Sequence, residues 1–218
     1  MIEGGYHGVS DSVLWDVDLD EWDPKHGDPK VQPTSHGVPS RIREMVTLVP
    51  MNDADRLEDV LKKKHNEIGT LLIEPILGNC CSIAADPEYI KTVRSLCDRY
   101  NIVMVIDEVK TGFRVAKGGV QELYGIEADI CTFAKSMANG YPIAAICGKE
   151  DLMRIIKYGG VLHGGTFTAH SVAISAAKKT LEIIESTDAL ATVNQYGLNL
   201  RDGLSQILTD HNIPHSFT

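Results

Sequence analysis

The run Ile102-Val103-Met104-Val105-Ile106-Asp107-Glu108 decides the fold. An unbroken apolar segment of strand length reads as a strand buried on both faces, the mark of a parallel sheet. A second run, Ile130-Cys131-Thr132-Phe133-Ala134, ends in Lys135. Side by side and parallel, the two strands deliver Asp107 and Lys135 to one edge of the sheet. Ligands of open α/β sheets bind at the carboxyl ends of strands. A carboxylate and an amine at that edge mark a candidate site.

Working outward, Asp86-Pro87 opens a helix with Asp at the N-cap and Pro at the first turn. Its inner stripe is Ile90, Val93, Leu96, Cys97 and Tyr100. With a buried strand at Thr70–Glu74 before it and Ile102–Ile106 after it, this is a strand–helix–strand unit. Upstream, residues 15–40 hold Pro24, Pro29, Pro33 and Pro39 and read as a long irregular excursion. Such loops usually serve a site or an interface. Met45–Val49 reads as a short strand. Asn52-Asp53 caps a helix with apolar Leu57, Val60, Leu61 and Ile68. Downstream, the pattern predicts a short helix at Val120–Tyr124, strands at Asp129–Ala134 and Ile143–Cys147, and a helix at Asp151–Tyr158. It then predicts a tightly packed helix at Ser171–Glu185 with Val172, Ile174, Leu181 and Ile184. A last helix follows Thr187-Asp188, with apolar positions at 190, 193, 197, 200, 204, 207 and 208.

The 218 residues carry a formal charge of −9, which argues against nucleic acid or an anionic membrane as partner. No apolar run is long enough to span a membrane. No secretory signal opens the chain. Five cysteines, an odd number, read as reduced thiols of a cytoplasmic protein. Adjacent Cys80-Cys81 point apart on an extended chain and have no partner motif, so no metal site is expected.

Three chemistries compete for Asp107 and Lys135. In the plainest, Asp107 caps a turn and Lys135 is a solvated surface residue. In the second, the apolar run ending in Asp-Glu is the magnesium-binding strand of a P-loop ATPase. That reading needs a G-x-x-x-x-G-K-[ST] loop. Lys135-Ser136 follows Ala134 instead of Gly, and no Gly stands at 129. The third is a pyridoxal phosphate site, which needs a lysine for a Schiff base and a carboxylate at the pyridine nitrogen. Ser136, Ala138 and Gly140 leave room there for a planar cofactor.

The stretches Asp107-Glu108-Val109-Lys110-Thr111-Gly112-Phe113-Arg114, Ala134-Lys135-Ser136-Met137-Ala138-Asn139-Gly140-Tyr141-Pro142 and Gly165-Thr166 resemble class-III pyridoxal phosphate aminotransferases. Glu74-Pro75-Ile76-Leu77-Gly78-Asn79, Gly118-Gly119-Val120-Gln121 and Tyr6-His7-Gly8 are similar to the glutamate-1-semialdehyde aminomutase branch. The resemblance covers nearly the whole chain. It implies an α/β fold, a mostly parallel sheet with helices on both faces: the large domain of an aspartate-aminotransferase-like transferase, truncated at both ends. Residues 1–186 would form the cofactor-binding domain, and residues 187–218 a linking helix and the start of a small C-terminal domain.

The same resemblance implies roles. Lys135 is the Schiff-base lysine and proton shuttle, and Asp107 the partner of the pyridinium nitrogen. Val109 packs on one ring face and Tyr6 stacks on the other. Asn79 reaches the phenolic oxygen, and Thr166 binds the cofactor phosphate across a homodimer interface. Glu74 supports the site from behind. The substrates implied are a small-molecule amino donor and a carbonyl acceptor. After Gly165-Thr166 the aminomutase pattern continues with a small residue, then Asn-Pro; here Phe167-Thr168-Ala169-His170-Ser171 stands. That departure favours an aminotransferase over an aminomutase. Family members are about twice as long and carry a phosphate-cupping loop upstream of the Tyr-His-Gly turn, at a helix N-terminus. The expectation is therefore the central portion of a longer protein, inactive alone, with a fold-only or partner-associating remnant as the alternative.

Overall fold

The computed structural model describes residues 1–18, 30–157 and 160–217. In chain order its elements are β1 (Trp15–Val17), β2 (Val31–Pro33), α1 (Ala54–Lys64), β3 (Thr70–Ile73), β4 (Ile76–Leu77), β5 (Ile83–Ala84) and α2 (Pro87–Tyr100). They continue with β6 (Val103–Asp107), α3 (Gly119–Tyr124), β7 (Ile130–Phe133), β8 (Ala145–Gly148), α4 (Glu150–Lys157), α5 (Ser171–Ser186) and α6 (Ala189–Asp210). The principal sheet runs β3-β6-β7-β8. Its β3–β6 and β6–β7 pairs are parallel, with Ile73 opposite Ile106 and Asp107 opposite Thr132. The α/β reading and the mostly parallel sheet hold. The chain forms two compact units. One comprises Met1–Asp107, Ile126–Thr132 and Cys147–Arg154; the other comprises Glu108–Gly125, Phe133–Ile146 and Ile155–Thr218.

The first unit is built on alternation and capping. Met104 and Ile106 of β6 are fully buried, as are Ile90, Val93 and Cys97 of α2. Asp86 is the N-cap of α2 and Pro87 its first residue; Asn101, in the left-handed region, ends it. Asp53 caps α1 by accepting the Arg56 N–H at 2.8 Å. Ile68 lies beyond the end of α1. A second cluster packs Trp15, Val17 and Leu48. At the start of β7, Asp129 accepts the Met104 N–H at 2.7 Å, Lys149 Nζ at 2.6 Å and Arg94 Nη1 at 2.9 Å.

Several expectations are corrected. The excursion at 15–40 carries an antiparallel pair, β1 with β2; its residues 19–29 lie outside the described residues, as does Tyr158 of the predicted helix at 151–158. Met45–Val49 is not a strand. A 3-10 helix covers Ser40–Met45, and Val49 makes a single bridge to Ile2. In the second unit, α5 is not enclosed on several sides: Ala173 and Ala177 are buried, whereas Val172 and Ile174 are exposed. Its small residues predict close packing on several sides; Ala177 packs with Met137 and Ala138 and Leu181 and Ile184 are half-buried, but Val172, Ile174 and Ile183 are exposed. No residue of α6 is buried.

Candidate functional site

In the first unit the sequence folds its Tyr6-His7-Gly8 turn onto the end of β6. His7 Nδ1 lies 2.8 Å from Asp107 Oδ2, and the two side chains are 3% and 9% exposed. A carboxylate only accepts, so His7 donates from Nδ1. The other ring nitrogen, His7 Nε2, is buried and meets no hydrogen-bond partner among the described residues. Sequence reading quoted His7 within a motif but gave it no role; the contact spans 100 positions and has no local signal.

Glu74, 2% exposed, takes the Tyr6 N–H on Oε2 and the Gly78 N–H on Oε1, both at 3.2 Å. It thereby ties the Tyr6 turn to the β4–β5 hairpin. Asn79 is exposed in the turn of that hairpin, and the Tyr6 ring is also exposed. Asp107, Glu74, Tyr6 and Asn79 are thus gathered in this unit, with Glu74 holding backbone.

The second unit holds Lys135. The chain leaves β7 at Phe133 and enters a short 3-10 turn, Lys135–Ala138. Lys135 has φ +47°, left-handed backbone. A non-glycine residue there costs about 1 kcal/mol, and such strain collects where geometry serves function. Surroundings hold the turn. Ser136 Oγ donates to the Gly112 carbonyl at 2.6 Å, and Met137 and Ala138 pack with Ala177 of α5. Gly112 has no room for a side chain, since a Cβ would lie 2.6 Å from Phe133 Cδ1 and 2.8 Å from the Glu108 carbonyl. Lys135 itself is exposed and lines an open cavity of about 1380 Å3 with Phe113, Arg114, Tyr141, Ile183 and Arg201.

Val109 is half-buried at the start of this unit. Its neighbour Glu108, 0% exposed, accepts the Thr111 hydroxyl at 2.8 Å, the Val120 N–H at 3.0 Å and the Gln121 N–H at 3.3 Å. Glu108 was not singled out from sequence; the buried acid and the close approach of Gly119, φ +67°, belong together. Thr166 is exposed in a turn closed by the Thr168 N–H on the Gly165 carbonyl at 3.0 Å. Among the described residues, no hydrogen bond joins it to another candidate. His170 is the N-cap of α5 with no side-chain capping bond.

Residues 1–217 match the family model of class-III aminotransferases. A glutamate-1-semialdehyde 2,1-aminomutase of Natronomonas pharaonis is 36% identical over 214 residues, covering 96% of this chain and 46% of that protein. The crystal structure of an omega-transaminase from Sphaerobacter thermophilus superposes with a TM-score of 0.85 at 28% identity, covering 98% of this chain and 49% of that one. A transaminase with PLP bound gives 0.85 at 26% identity, covering 97% and 49%. The fold is that of the pyridoxal phosphate-dependent transaminases. Within it, the chain belongs to the class-III aminotransferase family. It spans about half the length of the curated relatives it matches.

Proposed function

We propose that the protein of which this chain forms a part transfers an amino group between a small-molecule amino donor and a keto or aldehyde acceptor, using pyridoxal 5'-phosphate. The observation that carries this reading is the His7–Asp107 pair: a nearly buried carboxylate at the end of β6, fixed by a ring nitrogen at 2.8 Å. Bound there, pyridoxal phosphate supplies an aromatic ring that accepts electrons from the substrate carbon. The His7–Asp107 pair of the first unit fits the ring nitrogen of that group. Asp107 would meet the ring nitrogen and keep its proton in place, and His7 would hold Asp107 in orientation. Lys135 would hold the cofactor through its amine and would move a proton at the substrate carbon. Val109 and Tyr6 would cover the two ring faces, Asn79 would reach the phenolic oxygen, and Glu74 would steady the Tyr6 turn.

Thr166, exposed in its turn, would meet the cofactor phosphate of a second subunit in a homodimer. Residues 1–186 would be the cofactor-binding domain and 187–218 the lead into the next. Five free thiols support a cytoplasmic location, and no helix among the described residues is long and apolar enough to cross a membrane.

The test is chemical trapping. The purified chain is mixed with pyridoxal phosphate, reduced with borohydride, digested and examined by mass spectrometry. The expected result is a pyridoxyl adduct on Lys135, absent in Lys135→Ala. An adduct spread over surface lysines with none enriched at Lys135 overturns the assignment. A second reading, glutamate-1-semialdehyde aminomutase, is favoured by the name of the Natronomonas pharaonis relative at 36% identity. Release of a keto product from the amino donor distinguishes a transaminase from a mutase, which returns the amine to the same carbon skeleton.

A further inference from the structure

The backbone at Lys135 is set by its surroundings against its own preference. Ala134 is extended, with φ −160° and ψ −153°, and the next residue turns to φ +47°. Left-handed backbone disfavours a residue with a Cβ. A return to extended φ would re-aim the Lys135 Cα–Cβ bond and carry the amine with it. Within the turn, the Met137 N–H reaches the Ala134 carbonyl at 3.0 Å and the Asn139 N–H reaches the Ser136 carbonyl at 3.3 Å. Ser136 adds a tie of longer range: its hydroxyl donates to the Gly112 carbonyl at 2.6 Å, across 24 positions of chain. We infer, on the reading of Lys135 as the cofactor lysine, that Ser136 is a positioning residue. Its bond to Gly112 keeps Lys135 in left-handed backbone and so fixes where the Lys135 amine stands.

The acceptor is itself fixed. Gly112 donates its N–H to the Glu108 carbonyl at 2.9 Å, and Thr111 gives its hydroxyl to the buried Glu108 carboxylate at 2.8 Å. Phe113, at φ +59°, holds its ring 5.3 Å from that of Phe133, two residues before Lys135. The same Phe133 ring closes the space beside Gly112. The Gly112 carbonyl is therefore anchored from both sides, and the bond restrains the Lys135 turn rather than the loop. A serine hydroxyl has one proton to donate, and here it goes to backbone. Ser136 lines the same cavity as Lys135, but its donor is spent on Gly112, which makes its role positioning and not catalytic. One net hydrogen bond shifts an equilibrium about fivefold. Left-handed strain at a residue with a Cβ opposes the pose by a factor of at least about five. Without the hydroxyl, the extended and left-handed turns compete and the reactive pose loses occupancy.

The test labels the full chain, as parent, Ser136→Ala and Ser136→Thr, with pyridoxal phosphate and borohydride across neutral to alkaline pH. Peptide mass gives the rate at Lys135 against that at Lys178, an exposed lysine of α5. Melting temperatures show which forms are folded; Ser136→Cys, near in size with a much weaker donor, replaces Ser136→Ala if that form is not. The expected result is a Lys135-to-Lys178 ratio about fivefold lower in Ser136→Ala at every pH, and within about twofold of the parent in Ser136→Thr, which keeps the hydroxyl. A change of occupancy scales the rate alike at all pH. A profile moved along the pH axis instead means that the hydroxyl acts on the charge of the amine, and it overturns the proposal. Equal ratios in parent and Ser136→Ala, with Lys135 preferentially labelled in both, overturn the proposal and leave the cofactor reading standing. A parent that labels Lys135 no faster than Lys178 overturns the cofactor reading and this proposal with it.

Discussion

Glu108 and Gly119 form a coupled pair whose energetics follow from their geometry. Glu108→Ala removes the acceptor of the Thr111 hydroxyl, the Val120 N–H and the Gln121 N–H. The hydroxyl can rotate to another acceptor, and half-buried Gln121 reaches water. Val120 is fully buried, so its N–H bears the largest loss. A bond to a charged acceptor is worth about 1.5–3 kcal/mol net, which puts the whole substitution near ~3 kcal/mol after the carboxylate's own desolvation is recovered. Gly119→Ala places a methyl 2.6 Å from both Cδ and Oε1 of Glu108, at φ +67°. Left-handed backbone costs about 1 kcal/mol and overpacking about 2 kcal/mol more, together ~3 kcal/mol. In the Glu108→Ala background the clash has no partner, and only the backbone cost of about 1 kcal/mol remains. The double variant should therefore be destabilised by about 4 rather than 6 kcal/mol, a coupling of ~2 kcal/mol. Urea unfolding of the four proteins, followed by circular dichroism, measures the cycle. Additivity within about 0.5 kcal/mol would show that Glu108 and the Gly119 backbone are not in contact, and would refute the reasoning.

Three further outcomes are expected. Burial pushes the Asp129 carboxyl up, but Lys149, the Met104 N–H and Arg94 outweigh it and hold the group below the ordinary 3.8. Its contribution is complete above that pH and is lost as acid passes down through the lower folded value. Asp129→Asn should cost about 3 kcal/mol at pH 7, and thermal melts should show its deficit against the parent shrinking below pH 4; a pH-independent deficit contradicts the ion-pair account. Burial raises the Cys97 thiol to about 12, while Cys81 and Cys147 are exposed; iodoacetamide at pH 8 should label Cys81 and Cys147 in the native chain and Cys97 only in urea, read by peptide mass. Val193, Tyr196, Leu200 and Ile207 of α6 are all exposed and share a face at helical spacing. Exposed apolar faces drive association, so Leu200→Asp should lower the apparent mass in light scattering at high protein concentration, and an unchanged mass would exclude this face.

Long-period signals were legible and short ones were not. The β6 and α2 readings rest on runs of five or more patterned residues: Met104, Ile106, Ile90, Val93, Leu96 and Cys97 are buried, whereas Val103, Val105 and Tyr100 are half-buried. The β4–β5 hairpin consists of two-residue strands, too short to show a period. Met45–Val49 has strand composition, but among the described residues its bridging is a single pair, Val49 with Ile2. Apolar residues on α5 and α6 report what a helical face is made to cover, and the exposure of Val172, Ile174 and Leu200 depends on what lies against them in this chain.

The Asp107-Glu108 doublet carries the sharpest lesson. Consecutive side chains at a strand end point to opposite faces, so the two acids cannot share one task. The sequence singles out Asp107 because its strand delivers it, with Lys135, to one edge of the sheet, and the resemblance adds the role at the pyridinium nitrogen. The structure supplies a physical criterion. Glu108 accepts three donors, one from the loop that follows it and two from the first turn of α3, and is 0% exposed, so its carboxylate is committed to closing that loop onto α3. Asp107 accepts from His7, a side chain brought from the far end of the chain. A local ring of donors is what folding a loop requires. A carboxylate fixed by an imidazole from the far end of the chain is the observation on which the ligand-facing role proposed for Asp107 rests.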